Sequence, residues 1–168
     1  MLLTSALRVV TVRNHHAGSA GGETDMAKRT SKAAPMAASA SHFTDNGDGT
    51  VTDTRTGLMW AKATLACGAV DHAAATKACK ALRLAGHKDW RMPTIEELFG
   101  LADRSRHSPA IDTDVFPNTE STWYWSSTPC AWDPSCAWVV GFFSGSAYGG
   151  HRHHNAFVRA VRSARPSQ

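Results

Sequence analysis

Between Ser144 and Asn155 the chain reads SGSAYGGHRHHN, so Tyr148, His151, Arg152, His153, His154 and Asn155 fall within a short stretch, preceded by Ser144 and Ser146. Phenol, imidazole, guanidinium, hydroxyl and amide groups in one segment suit recognition of a polar ligand. The aromatic ring gives rigid contact area, small neighbours let the backbone adapt, and Arg152 can hold a carboxylate, sulfate or phosphate through paired hydrogen bonds. Trp132 and Asp133, in CAWDPSC, complete the expected surface. The competing reading of the same stretch is a solvated connecting loop. The histidines also raise metal binding, but in an extended segment His151 and His153 share a face while His154 points away. Two ligands do not make a site without a partner such as Asp133 or His107, so no metal or other cofactor is expected.

Catalytic combinations have little support. Glu96 and Glu97 are adjacent on an expected helix and therefore diverge, and Ser126 and Ser127 lack the glycine pattern of a nucleophile elbow. No phosphate-cradling glycine motif occurs. The four cysteines read as structural: Cys130 with Cys136 closes the loop around Trp132, and Cys67 with Cys79 ties a helix to the loop before it. Spacing alone leaves three connectivities open. An even cysteine count leans towards an oxidising compartment, which slightly favours an extracellular or cell-envelope location over the cytoplasm.

These residues need a scaffold, and the chain divides in two to supply it. Residues 1–41 are rich in Ala, Ser, Gly and Lys without apolar periodicity, which marks a leader or linker. All six tryptophans and all four cysteines lie in 42–168, the expected folded domain. The leader carries five basic and two acidic residues, leaving thirteen and twelve for the domain. The basic balance of the whole chain therefore says little about the folded surface, and no nucleic-acid partner is expected. The apolar patch MLLTSALRVV is too short to span a membrane, and either Met1 or Met26 can be the true start.

Within the domain, the N-G-D-G turn after Phe43 predicts a hairpin whose strands end near Asp53 and Trp60. The aspartates there fit a structural turn; Thr44 and Arg55 stand where a calcium loop needs carboxylates. The spacing predicts a helix over 71–84, capped by Asp71 and stopped by Gly86. A second begins at Thr94, with Glu97 completing a capping box, and runs to about Asp103. The last third predicts three strands, near Trp123, Val139 and Val158, linked by CAWDPSC and by SGSAYGGHRHHN and covered on both faces. Trp90 is expected in the core, Arg91 as a loop brace, and one of Arg159 and Arg162 in an internal salt bridge.

The phrases FTDNGDGTVTDTRTGLMW, LAGHKDWRMPTIEEL, YWSS and FVRAVR, in this order, resemble the Lcl C-terminal domain family, which takes its name from a bacterial collagen-like adhesin. The likeness spans about His42 to Arg162. WRMPTIEEL also looks like a segment of the formylglycine-generating enzymes, which implies an α+β, C-type-lectin-like fold with two helices packed on small twisted antiparallel sheets. Members are mostly exported or surface-attached, and the adhesin domain binds sulfated glycans as a trimer. Relatives of this fold include variable proteins diversified by retroelements, whose altered residues would correspond here to Ala131–Asn155. Met92 replaces the family's usual leucine, and collagen-like repeats are absent, so trimerisation does not carry over.

The resemblance and the residues together lead to a non-catalytic domain that displays a variable surface to a glycan or protein ligand. The alternative is a structural or oligomerisation module, forming homo-oligomers, without a small ligand. An enzyme that uses Cys130 and Cys136 as a copper-binding or redox pair is the third reading; the local context of the formylglycine-generating cysteines is not reproduced.

Overall fold

The N-G-D-G sequence folds as its residue types demand. Gly47 and Gly49 take φ of 76° and 86°, where a Cβ would be strained. Asp45 and Asp48 accept backbone N–H groups two residues on, which makes the turn structural. In the computed structural model, which describes residues 41–164, this turn joins β1 (Phe43–Asp45) to β2 (Thr50–Asp53). Then follow β3 (Leu58–Ala61), α1 (His72–Ala81), α2 (Ile95–Phe99), β4 (Trp123–Cys130), β5 (Asp133–Gly141), β6 (Ser146–His151) and β7 (Val161–Ser163). The result is a mixed α+β fold with two antiparallel sheets, ordered β1-β2-β3-β7 and β4-β5-β6. No helix among the described residues is long and apolar enough to cross a membrane. The expected leader lies outside the described residues, apart from residue 41.

Both helices start where the sequence predicts and end earlier. Asp71 caps α1 through the Ala74 N–H at 2.8 Å. The helix closes at Ala81, because Leu82 turns extended and packs on the core. Gly86 is therefore not its terminator. With Ala85 it supplies two successive positive φ values in a tight turn between Leu84 and His87. In α2 the capping box forms, and Glu97 also takes both terminal nitrogens of Arg91 at 2.7 Å. Burial works against ionisation of Glu97, but Arg91 and the Thr94 N–H outweigh it and hold its carboxyl below the usual range. The helix stops at Phe99 rather than near Asp103, since Leu101 and Ala102 bond three residues back and lead the chain away.

The terminal strand is the main topological correction. Only Val161–Ser163 forms a strand there, and it pairs with β3 in the other sheet. The third strand beside β4 and β5 is β6, cut from the segment expected as a loop.

Strand alternation then divides the core. Trp125, Ala137 and Val139 point to one side, where Ala75 and Cys79 of α1 pack with Trp90, Met92, Ala156, Val158 and Ala160. Tyr124, Val140 and Phe142 point to the other, against Leu98 of α2, Ile111, Phe116, Trp60 and Val161. The sheet is thus covered on both faces, as its apolar runs predict.

Cys130 and Cys136 are bridged. The expected Cys67–Cys79 bridge is not formed: Cys67 is exposed and Cys79 is buried, both as free thiols. Cys79 faces inward from α1, and burial pushes its thiol up to about 12, which suppresses the thiolate that exchange requires.

Arg159 is fully buried, yet no carboxylate pairs with it among the described residues. Its Nη1 donates to the Ala61 carbonyl at 2.8 Å and to that of Lys62, and Nη2 donates to Thr119 Oγ1 at 2.8 Å. The ring of Phe116 lies 4.9 Å from the guanidinium carbon. Burial lowers its pKa to about 10, so it stays charged at neutral pH. The salt bridge falls instead to Arg162, 2.8 Å from Asp89, whose side chain is exposed, so it is a surface pair and not the internal one expected. Trp90 is buried, as expected, and Arg91, expected to brace a loop, pairs instead with Glu97 of α2.

Two stability predictions follow from these buried polar groups. Replacing Arg159 by Met leaves two carbonyls and a hydroxyl unpaired and should cost about 3 kcal/mol or more in urea unfolding. Arg159→Lys should recover only part, since one ammonium cannot reach all three; a midpoint equal to wild type for either variant contradicts this account. His72 is also buried, with Nε2 3.0 Å from the Ser126 carbonyl. Burial holds its pKa below 6.5, against the opposing pull of that carbonyl. The unfolded chain therefore takes up the proton first, so this contribution is full above about pH 6.5 and is lost as pH falls through the folded value. Between about pH 7.5 and 5.5 the wild-type urea midpoint should drop more than that of His72→Gln; equal slopes would remove His72 as a cause.

Candidate functional site

β6 is the edge strand of its sheet, and its alternation presents two different aromatic surfaces. Tyr148 lies opposite Val139 and Gly150 opposite Ala137, on the α1 side. Gly149 lies opposite Trp138 and His151 opposite Cys136, on the α2 side.

On the α1 side is a cavity of about 230 Å³, with Trp123, Trp125 and Val139 as its floor, Tyr148 as a wall and His154 and Asn155 at its rim. Trp123 meets Tyr148 edge-on, with ring centroids 4.9 Å apart and planes at 89°. Phe143 braces Trp123 from another direction at 4.8 Å. Trp125 is fixed by its Nε1, which donates to the Val70 carbonyl at 2.9 Å, and by an edge contact with His72. Gly150 carries no Cβ, so the Trp125 ring is not overlaid there by a side chain. The floor is thus rigid and apolar, and the rim is polar, the usual division of labour in a small-ligand site.

On the opposite side Trp132 stands 67% exposed, edge-on to Trp138 at 5.4 Å. It lies over Gly149 and the Cys130–Cys136 bridge. A Cβ at Gly149 would come within 3.0 Å of Cys136 Sγ and 3.1 Å of the Trp132 ring, so only glycine lets these groups close on the strand. Asp133 accepts the Ser135 hydroxyl at 2.7 Å and its N–H at 2.8 Å, and these bonds hold its carboxyl below the usual range. Ser135 Oγ also lies 3.4 Å from His151 Nδ1.

The segment beyond β6 is clamped rather than free. The Arg152 N–H donates to the Ser135 carbonyl, the His72 N–H donates to the Arg152 carbonyl, and Val70 and Ala156 exchange both backbone bonds. Arg152 also spends its Nε on the Cys136 carbonyl at 3.3 Å. Its terminal nitrogens remain for a ligand, but in a fixed direction. The rings of His151, His153 and His154 lie 4.5–5.8 Å apart. Among the described residues, no three His, Cys, Asp or Glu side chains are grouped to hold a metal ion.

The sequence-derived surface is therefore split. Tyr148, His154 and Asn155 share the cavity, while Trp132 and His151 lie on the α2 side, Asp133 is held by Ser135 at the start of β5, and Arg152 is anchored between the segments. Ser144 and Ser146 sit at the other end of β6, by the turn from β5, and do not join either group. Trp123, Trp125 and Val139 were missed as site residues. The W-Y-W alternation does place Trp123 and Trp125 on one face, but only the pairing with β5 and β6 puts that face under Tyr148.

Comparison with curated proteins gives no match. The model of the Lcl C-terminal domain family matches residues 49–162, which include both sheets' central strands, both helices and the aromatic cavity. That match covers well over half of the chain, and the protein belongs to the Lcl C-terminal domain family.

Proposed function

We propose that this domain is a non-catalytic recognition module that binds a carbohydrate in the cavity beneath Tyr148. The observation that carries the reading is the set of fixed aromatic faces of Trp123, Trp125 and Tyr148 bordered by His154 and Asn155. A sugar ring offers C–H groups to aromatic surfaces and hydroxyls to imidazole and amide, so it matches both parts. Arg152 lies close enough along the chain to add selectivity for sulfated or carboxylated forms.

Several features support recognition over turnover. Glu97 is committed to its ion pair and capping box, and Glu96 is exposed beside it. Cys130 and Cys136 are bonded to each other, which does not suit a copper or thiol site. The bridge agrees with display outside the cytoplasm, and the helices flanking small antiparallel sheets agree with a C-type-lectin-like arrangement. A shallow site of this size gives weak single-site affinity, so multivalent presentation would strengthen attachment.

The test is binding of the full chain to sulfated, carboxylated and neutral glycans. Tyr148→Ala and His154→Ala should each weaken saturable binding about tenfold or more, equivalent to roughly 1.4 kcal/mol, with unfolding midpoints unchanged. Arg152→Ala should weaken the anionic ligands alone. No saturable binding across the panel, or binding indifferent to Tyr148 and His154, would overturn the carbohydrate reading.

A further inference from the structure

The backbone of β6 has one side in use. The Arg152 N–H bonds to the Ser135 carbonyl, which fixes the phase of the β5–β6 ladder. Ser146, Tyr148 and Gly150 therefore direct their N–H and C=O groups at β5, while Ala147 and Gly149 direct theirs outward. The other sheet edges are closed or defended. On the outer side of β4 the Trp125 and Ser127 N–H groups donate to the Phe157 and Pro93 carbonyls and the Trp123 carbonyl accepts from Phe157, while that of β7 exchanges two bonds with Arg91. β1 is three residues long and carries Asp45, which is paired with Lys62. β6 is six residues long, SAYGGH, without Pro, Lys, Arg, Asp or Glu. Of the exposed large hydrophobic side chains among the described residues, Tyr148 stands on this strand and Trp132 lies over its Gly149.

We infer that β6 is a self-association edge, on which a second copy of this chain adds its own β6 antiparallel across a two-fold axis. Such an edge meets itself, so any charge on it would face its like; the absence of Lys, Arg, Asp and Glu removes that penalty and points to an identical partner. The geometry is self-complementary. With Tyr148 on the axis, Ala147 of one copy pairs with Gly149 of the other, and the converse pair completes four backbone hydrogen bonds. Ser146 then faces Gly150, His151 faces Gly145, and the two Tyr148 rings form a cross-strand aromatic pair. Two three-stranded sheets become one of six strands, a symmetric form of strand addition. The inference rests on backbone direction and charge and is independent of the carbohydrate reading, although it would bring the two cavities to one face.

The experiment uses the full chain. Light scattering across a concentration series should show a species of twice the 18.0 kDa chain mass. Amide exchange should show protection at Ala147 and Gly149 that rises with concentration, while the Tyr148 and Gly150 amides, bonded to β5, stay protected throughout. Ala147→Pro removes an outward N–H and leaves the β5 ladder intact, so it should weaken association at least tenfold. The wild-type exchange pattern decides the matter even if that variant does not fold. A monomer with freely exchanging Ala147 and Gly149 amides at every concentration overturns the inference and leaves the edge to a strand from a different protein. A dimer in which those amides stay unprotected overturns it as well.

Discussion

A guanidinium buried without a carboxylate is expensive to desolvate, so the groups around Arg159 have to be placed to repay it. It donates to the carbonyls at the end of β3 and just beyond, to Thr119 ahead of β4, and lies against Phe116. Three parts of the chain that are distant in sequence thus meet at one side chain, on the segment that leads from the site into β7. Because carbonyl and hydroxyl acceptors have fixed directions, the arrangement holds the first sheet, the long connection before β4 and the terminal segment in one relative position. That terminal segment in turn closes the outer edge of β4 through Phe157, so the floor of the aromatic cavity inherits its position from the buried charge.

The second constraint is the two-residue period of β4, β5 and β6. It sorts Trp125 and Val139 to one core and Tyr124 and Val140 to the other, and it makes one edge strand present Tyr148 on one face and the Trp132–disulfide surface on the other. A slip of one residue would exchange the faces and bury polar groups, so core packing and site geometry are set by the same register. Gly149 is the point where both demands meet, since the bridge and Trp132 close directly on its backbone.

Much of this was legible locally. The first hairpin, the Asp71 cap, the Thr94–Glu97 capping box, the burial of Trp90 and the Cys130–Cys136 bridge each depend on residues within a few positions of one another. The family follows from four such phrases in order. The failures share a different cause. α1 and α2 end early because Leu82 is drawn onto the core and the chain after Phe99 is diverted, neither of which helix periodicity records. Cys67 and Cys79 bracket a helix start, yet Cys79 points into the core, so spacing suggested a bridge that orientation denies.

The sequence by itself determined the α+β class, the position of most elements, the family, and the segment that carries the candidate ligand groups. Those properties come from side-chain chemistry and short-range periodicity, which are written along the chain. Tertiary structure decided that SAYGGH is an edge strand rather than a loop, that the terminal strand joins the other sheet, and that Tyr148, His154 and Asn155 gather over Trp123 and Trp125 while Trp132 falls on the opposite face. The reason is physical: which strands pair, and in what register, depends on how distant apolar faces can be buried together around a fixed charge, and no local segment contains that information.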